Sequence, residues 1–279
     1  MTSPGDAVGR LVVCPTPIGN LQDVTLRVLS VLGEADVVAC EDTRHTRVLL
    51  ERYELAPRLV SFHEHNERAR AGELLERVRS GELVALVSDA GTPIVSDPGF
   101  ALLRACLDAG LTVEVLPGPS AVVTALVASG LPAERWQFVG FLPRKRAELE
   151  DLLVCSGETL VAFESPRRLA ATLRLLAARD PERPMAVCRE LTKRHEEVRR
   201  GSAGKLSARY GSGAGATRGE VVLVIGAASP RRPGREQALA AVRELVAAGA
   251  RSRQAARSVA TLTGVGANEL YRELTSGEQ

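Results

Sequence analysis

Aromatic residues are scarce in this chain. Phe, Trp and Tyr supply 3% of its 279 residues, which excludes extensive base stacking as its main way of holding a nucleic acid. Cysteine is sparse and scattered, at Cys14, Cys40, Cys106, Cys155 and Cys188. An odd number with no CxxC pair argues against a disulfide framework and against a structural zinc site. Beside Val, Leu and Ala, most of these cysteines read as small buried hydrophobes. No apolar run is long enough to cross a bilayer, and the opening MTSPGDAVGR lacks the apolar core of a signal peptide. The expectation is a cytoplasmic protein with no membrane partner. Charge of one sign is also lacking: the formal net charge is +2, so any basic surface must be local.

Hydrophobic residues at 45% and charged residues at 25% describe a folded chain rather than a disordered one. Short β-branched runs alternate with helical patterns through the first half. Strands are expected at Leu11–Cys14, Val37–Cys40, Leu59–Phe62, Leu83–Val87 and Thr112–Leu116. Helices are expected between them, the first running from Thr25 to Gly33 with the glycine as its stop. That alternation predicts a mostly parallel sheet covered on both faces. A helix at Ser120–Ser129 ends at Gly130, where a boundary is placed. Four more strands follow, at Gln137–Phe141, Thr159–Phe163, Met185–Arg189 and Glu220–Ile225. GSGAGATRG (Gly211–Gly219) reads as a flexible loop and ASPRRPGRE (Ala228–Glu236) as a linker. Three short helical patterns end the chain, similar to a helix-turn-helix or a packing arm. The fold class is therefore α/β, with domains at 1–130 and 131–227 and a helical extension at 228–279.

Ligands of an open parallel sheet bind beyond the carboxyl ends of its strands. The loops there are unusually polar. The first, Pro15-Thr16-Pro17-Ile18-Gly19-Asn20, holds neither GxGxxG nor a P-loop, and its prolines remove donors a phosphate needs. It reads as a rigid turn or a substrate-facing wall. The second, Glu41-Asp42-Thr43-Arg44-His45-Thr46-Arg47, holds a helix cap in Asp42 or Thr43 and two cations, Arg44 and Arg47, suited to phosphate or carboxylate. The third carries His63 and His65, a weak metal signal without an evident third ligand. No metal site is expected. The fourth, Ser88 to Gly99, has two Ser-Asp steps and glycines that permit close backbone approach to a ligand. The fifth is Pro117-Gly118-Pro119-Ser120, leading into a helix.

Taken in order, TPIGNLQDVTLR, EDTRHTRVLL, FHEHNE, SDAGTPIVSDPG, LPGPSA, GFLPRK, FESPRR and RELTKRHEE resemble the ribosomal RNA small subunit methyltransferase I family. The resemblance spans roughly Leu11 to Gly226. It implies the tetrapyrrole-methylase fold, two α/β domains with a cleft between them, within a homodimer. It also implies S-adenosylmethionine folded in that cleft, and methylation of the 2′-hydroxyl of a cytidine in the decoding region of 16S rRNA, in the small ribosomal subunit. By the same resemblance, Ser88, Asp89, Ala90, Gly91 and Thr92, with Pro117, Gly118, Ser120 and Ala121, line the cofactor cleft from the first domain. Phe141, Leu142, Phe163, Glu164, Ser165, Glu190, Leu191 and Thr192 line it from the second, and Gly219, Glu220 and Val221 close the adenine side. The EDTRHT, HEHNE and ESPRR loops face the RNA.

The chemistry agrees with the residues. The cofactor has no phosphate, which suits the missing phosphate loops, and its methyl is already activated. The protein has to orient a hydroxyl, and a base near that oxygen helps. Glu41, Asp42, Glu190 and Lys193 are the groups available, with a plain ion-pair role standing beside the catalytic one for each. Positive charge for RNA is local, at Arg144-Lys145-Arg146, Arg167-Arg168, Lys193-Arg194 and Arg231-Arg232. A tetrapyrrole methylase of the same fold, or a non-catalytic RNA-binding assembly factor, are the rival readings.

Overall fold

Strand β2 (Val37–Cys40) has no exposed residue, and a strand buried on both faces belongs inside a parallel sheet. In the computed structural model, which describes residues 9–154, 157–211, 218–228 and 235–276, β2 lies in a five-stranded sheet. Its neighbours are β1 (Arg10–Val13), β3 (Leu59–Ser61), β4 (Leu83–Leu86) and β5 (Thr112–Val115), in the order β3-β2-β4-β1-β5. Every pairing is parallel. Side chains alternate between the two faces. Leu11, Val13, Val37, Ala39, Val84 and Leu86 pack under helices α3 (Glu67–Arg79) and α4 (Phe100–Asp108). Val12, Val38, Cys40 and Ala85 face α1 (Leu26–Glu34) and α2 (Thr43–Arg52).

Local chemistry sets the helix starts. The Thr25 hydroxyl accepts the Val28 N–H at 3.2 Å, and the Asp42 carboxylate accepts the Arg44 N–H at 2.8 Å, so Asp42 rather than Thr43 caps α2. Ser120 caps α5 (Ala121–Ser129) through the Val123 N–H, and Gly130 ends it in a left-handed turn. Gly33 does not stop α1; the helix runs on to Glu34 because Val31 and Leu32 are held in the core.

The second sheet is mixed. It contains β6 (Trp136–Phe141), β7 (Thr159–Glu164), β8 (Pro184–Arg189), β9 (Glu197–Ser202) and β10 (Val221–Ile225), in the order β6-β7-β10-β8-β9. Only β6 and β7 pair in parallel. One face is covered by α6 (Arg146–Val154), α7 (Leu169–Arg179) and α8 (Ala203–Gly211), around Leu160, Leu173, Leu206 and Leu223. The other face is covered by Val122, Ala125 and Leu126 of α5, joined by Ile18 from the first loop. Strand β9 and helix α8 have no counterpart in the sequence reading. EVRRGS lacks an apolar alternation because β9 is an edge strand with Arg199 and Arg200 in solvent.

Residues Met1–Ala227 form one compact unit and Ala228–Gln279 a second. The second consists of α9 (Arg235–Ala247), α10 (Ser252–Thr263) and α11 (Ala267–Ser276). They close on a small core of Ala238, Val242, Ala255, Ala256, Val259, Leu270 and Leu274. Cys155, Arg231 and Arg232, and most of the Gly211–Gly219 loop, lie outside the described residues. Cys14, Cys40, Cys106 and Cys188 are free and buried. No described helix is long and apolar enough to cross a membrane.

Leu223 is 0% exposed at the centre of β10. Leu223→Ala is expected to destabilise the protein by roughly 2–5 kcal/mol, read as a lower denaturation midpoint.

Candidate active site between the two sheets

The loops that leave β1, β2, β4 and β5 at their carboxyl ends are tied into one rim. Thr16 and Gly91 exchange main-chain hydrogen bonds of 2.8 and 3.0 Å. The Thr16 hydroxyl donates to the Ser88 carbonyl at 2.9 Å, and the Thr92 hydroxyl to the Pro119 carbonyl at 3.3 Å. The Asp42 N–H donates to Asp89 Oδ1 at 3.0 Å. Polar side chains that look ligand-directed in sequence are thus partly loop-to-loop fasteners.

The second sheet contributes a facing loop after β8. The Asn20 N–H donates to the Thr192 hydroxyl at 3.0 Å. Gly19 is held so close that a Cβ there would sit 2.4 Å from Lys193 Cγ; only glycine fits. Glu190 Oε1 accepts both the Glu220 N–H, at 2.9 Å, and Lys193 Nζ, at 3.0 Å. Lys193 Nζ also reaches Glu220 Oε2 at 3.0 Å. Among the described residues, five non-glycines have positive φ, and four of them lie in these loops: Ile94 (76°), Ser96 (69°), Glu190 (50°) and Thr192 (63°). Each such conformation costs on the order of 1–3 kcal/mol and persists only where its surroundings enforce it, as functional sites do.

Two adjoining cavities open between the rim and the second sheet. One is about 430 Å³ and mainly apolar, within the range of cofactor and small-molecule sites. Phe141, Phe163, Leu191 and Val221 line it, with Ala90 and Ala121 from the first sheet's side. Glu164, Ser165, Glu190, Gly219 and Glu220 complete the expected residues found there. The other is about 320 Å³ and also mainly apolar in surface, lined by Thr16, His45, Ser88, Asp89 and Lys193 together with Leu21, Val48 and Leu49. Ile18, Ala90 and Glu220 border both.

The model of the tetrapyrrole (corrin/porphyrin) methylase family matches residues 10–207. The ribosomal RNA small subunit methyltransferase I of Mycobacterium tuberculosis (strain H37Rv) is 46% identical over 270 residues, covering 94% of this chain and 93% of its own. The protein of that name from Micromonospora olivasterospora is 44% identical over 271 residues, covering 95% and 86%. The chain belongs to the ribosomal RNA small subunit methyltransferase I family. Its fold is that of the tetrapyrrole methylases. A solved uroporphyrin-III-C-methyltransferase from Thermus thermophilus is similar, with a TM-score of 0.57 at 27% identity over 78% of this chain and 94% of its own. Another structure of that enzyme, complexed with S-adenyl homocysteine, has a TM-score of 0.55 at 23% identity, covering 78% of this chain and 97% of its own.

Several family positions act at one remove from the cavities. Gly91, Thr92, Pro117, Gly118, Ser120, Leu142 and Thr192 line neither cavity. Gly91 was expected to bring backbone close to a ligand. A Cβ there would meet no protein atom nearer than 3.5 Å, and Gly91 also forms the hydrogen-bonded pair with Thr16 at a φ of +82°. Leu142 is 2% exposed and belongs to the second sheet's core. Arg168, expected to face RNA, turns inward. Its guanidinium donates to the carbonyls of Leu142 at 3.1 Å and Pro143 at 2.7 Å, and it pairs with buried Glu164 at 3.3 Å. Glu164 in turn accepts the Thr172 hydroxyl at 2.5 Å. Arg168 therefore fixes the loop that carries Phe141. Conversely, Ile18, Cys188, Pro166 and Val222 line the apolar cavity without having been singled out for it.

Of the four proton-transfer candidates, Asp42 is consumed as a cap and by Arg44, whose hydrogen bonds hold its carboxyl well below the usual range. Burial works to raise the Glu190 carboxyl, but the Glu220 N–H and Lys193 outweigh it and the net shift is downward. Burial works against the Lys193 cation, but Glu220 and Glu190 hold it protonated. Glu41 is raised, first by burial and then by the charge of Asp89. Asp97, absent from the sequence candidates, is pushed up to about 6, by burial first and then by Glu41. Asp97 belongs to the second Ser-Asp step of its loop, but no pattern along the chain announces its shift, because the shift comes from burial and from Glu41 of another loop. Exposed Arg47, Arg144, Arg167, Arg194 and His65 remain open to solvent around these loops, and exposed Lys145 pairs with Glu148. Arg44, also exposed, pairs with Asp42, and half-buried His63 contacts Asn66.

A carboxyl raised from 3.8 to about 6 on folding binds its proton more tightly in the native state. Stability from this group is full below the unfolded value and falls as pH rises toward 6, then stays level. Asp97→Asn is expected to flatten that slope and to raise stability at pH 7.5 by about 1 kcal/mol, allowing for screening of a partly exposed group. Urea titrations at pH 4 and 7.5 read it directly.

Proposed function

We propose that this protein transfers a methyl group from S-adenosylmethionine to the 2′-hydroxyl of a cytidine in the decoding region of 16S rRNA, within the small ribosomal subunit. The observation that carries the reading is the apolar cavity at the carboxyl ends of the first sheet, bordered by the family's own motifs. Its chemistry suits the cofactor. Phe141, Phe163 and Val221 offer an apolar slot, while Glu190 and Glu220 place negative charge beside a cationic sulfonium. When bound, S-adenosylmethionine supplies an already activated methyl group.

The protein's own work is then to orient and to manage charge. Rigid, cross-tied loops hold the acceptor in line, and orientation alone lowers such barriers by roughly 7–11 kcal/mol. Lys193 is the one proton-transfer candidate that lines the smaller cavity while pairing with two carboxylates of the larger one. It stabilises the negative charge that grows on the 2′-oxygen. Glu220, its exposed partner, is the carboxylate able to pass the proton to solvent.

RNA is held by backbone contacts rather than stacking. Arg47, Arg144, Lys145, Arg167 and Arg194 supply the cations, with Arg44, His63 and His65 at the same rim. In the C-terminal unit, Arg235 is occupied by Glu269 and Glu273, which leaves exposed Arg251, just before α10, and Arg253 and Arg257 within it for phosphates. Exposed Phe100, Leu107, Val115, Val123 and Val127 on α4, β5 and α5 support self-association as a homodimer.

Ala121→Trp fills the apolar cavity and is expected to weaken cofactor binding in calorimetry at least tenfold; an unchanged affinity would remove that cavity from the cofactor site. Lys193→Met is expected to lower kcat on the order of 100-fold while sparing cofactor affinity, with partial rescue by Lys193→Arg. The assay is methyl transfer to small subunits lacking the modification, with the product mapped by mass spectrometry.

A further inference from the structure

Away from the cavities, on the helix-covered face of the second sheet, a group of arginines gathers round one carboxylate. We propose that Arg189, Arg199, Arg209 and Arg218 form a phosphate-binding site that holds the rRNA strand outside the cleft. This rests on the rRNA methyltransferase reading above.

Topology sets the place. Strand β10 is antiparallel to both β7 and β8, and β6 is parallel to β7, so β6, β7 and β8 run in one sense. Their carboxyl ends share one end of the sheet with the starts of β9 and β10. The larger cavity lies at that end, between Phe141, Ser165, Glu190 and Gly219. Alternation then settles the face. Cys188 lines the cavity, and Arg189, the next residue, belongs to the opposite face. Arg189 is in register with Glu197, and Val187 with Arg199. Val187 sits in the core that α7 and α8 cover. Arg209 and Tyr210 come from the last turn of α8. Exposed Arg194, in the connection from β8 to β9, stands at the same end of the sheet. The group therefore leaves the cofactor positions untouched while adjoining the RNA-facing side.

Charge gives the ligand class. Glu197 Oε2 pairs with Arg189 Nη1 at 2.7 Å, and its Oε1 pairs with Arg199 Nε and lies 3.5 Å from Arg209 Nη2. Arg189 and Arg199 alone exceed the charge of that carboxylate. Arg189 Nη2 also donates to the Arg218 carbonyl at 3.1 Å, which brings exposed Arg218 to the same place. Arg189 Nε and the Tyr210 hydroxyl are buried donors with no acceptor among the described residues. The field is thus positive. Glu197 and Arg189 are mostly buried and act as the base of the site, whereas Arg199 and Arg209 are about half exposed, 49% and 53%. Arg199 spends Nε on Glu197, and its two Nη groups stay uncommitted among the described residues. A guanidinium fixed in this way presents a planar fork that fits two phosphate oxygens. Contacts of this kind fix the register of a strand and read no sequence.

The test uses the full-length protein and small ribosomal subunits lacking the modification. The double variant Arg199→Gln with Arg209→Gln is expected to raise KM for the particle about tenfold, with kcat and cofactor affinity little changed. The slope of log K against log salt is expected to become shallower by about 0.7–0.9 for each phosphate contact removed. Arg199→Lys keeps the charge without the fork and is expected to retain the slope with an intermediate KM. Arg79→Gln, on α3 in the first sheet's half, removes an equal charge elsewhere and is expected to leave KM as it was. An unchanged KM and salt slope in the double variant overturns the site. An equal rise in KM for Arg79→Gln assigns the effect to net charge, and a raised KM with an unchanged slope assigns it to packing; either overturns the site as well. A wild-type protein that binds cofactor but neither binds nor methylates the particle overturns the rRNA reading itself, and is told apart because wild type and variants then fail alike.

Discussion

Ile18 leaves the first sheet and is buried, 5% exposed, in the apolar face of the second. The rest of the site depends on that insertion. Two residues earlier, Thr16 is bonded to Gly91 and to the Ser88 carbonyl; one residue later, Gly19 lies against Lys193. A single short loop therefore sets the spacing between the two sheets, and with it the width of both cavities. Burying one isoleucine contributes about 1.5–3 kcal/mol. That is comparable to one strained residue of the kind seen at Ile94 or Thr192. The strain is sustained because several fasteners share it.

Charge is layered around this hinge of contacts. Glu190, Lys193 and Glu220 form a connected set on the second sheet's side, where each charge has an opposite partner. Glu41, Asp89 and Asp97 gather on the first sheet's side, where burial and mutual repulsion raise Glu41 and Asp97. A site with partly compensated charge at one wall, where one cation serves two carboxylates, and uncompensated negative charge at the other is polarised across its width. Such an arrangement orients a ligand before any chemistry occurs.

The first sheet was legible in the sequence because parallel strands buried on both faces read as continuous apolar runs, Leu11 to Cys14 and Val37 to Cys40 among them. The second sheet was legible only where it is central. Strand β9 escaped because an edge strand carries charge in place of alternation, as Arg199 and Arg200 do. Members of the motifs border the two cavities, and the structure sorts them. Phe163 and Glu190 line a cavity, whereas Thr92 and Gly118 brace the loops behind it. An arginine after a strand looks the same on paper whether it points outward, as Arg167 does, or inward, as Arg168 does. The raised acidity constant of Asp97 was invisible for the same reason: it comes from burial first and then from the charge of Glu41, a residue distant along the chain.

That sorting bears on why the motifs are so polar. A loop beyond a strand end is short of backbone partners, since the ladder has ended and no helix has begun. Thr16, Thr92, Asp89 and Asn66 meet that need by bonding to main-chain groups of neighbouring loops or of their own turn. The same bonds remove conformational freedom that an acceptor hydroxyl would otherwise have to overcome on binding. Stability of the rim and orientation of a reactant are here one property, so a substitution that loosens a fastener acts on turnover through geometry even when it touches no ligand.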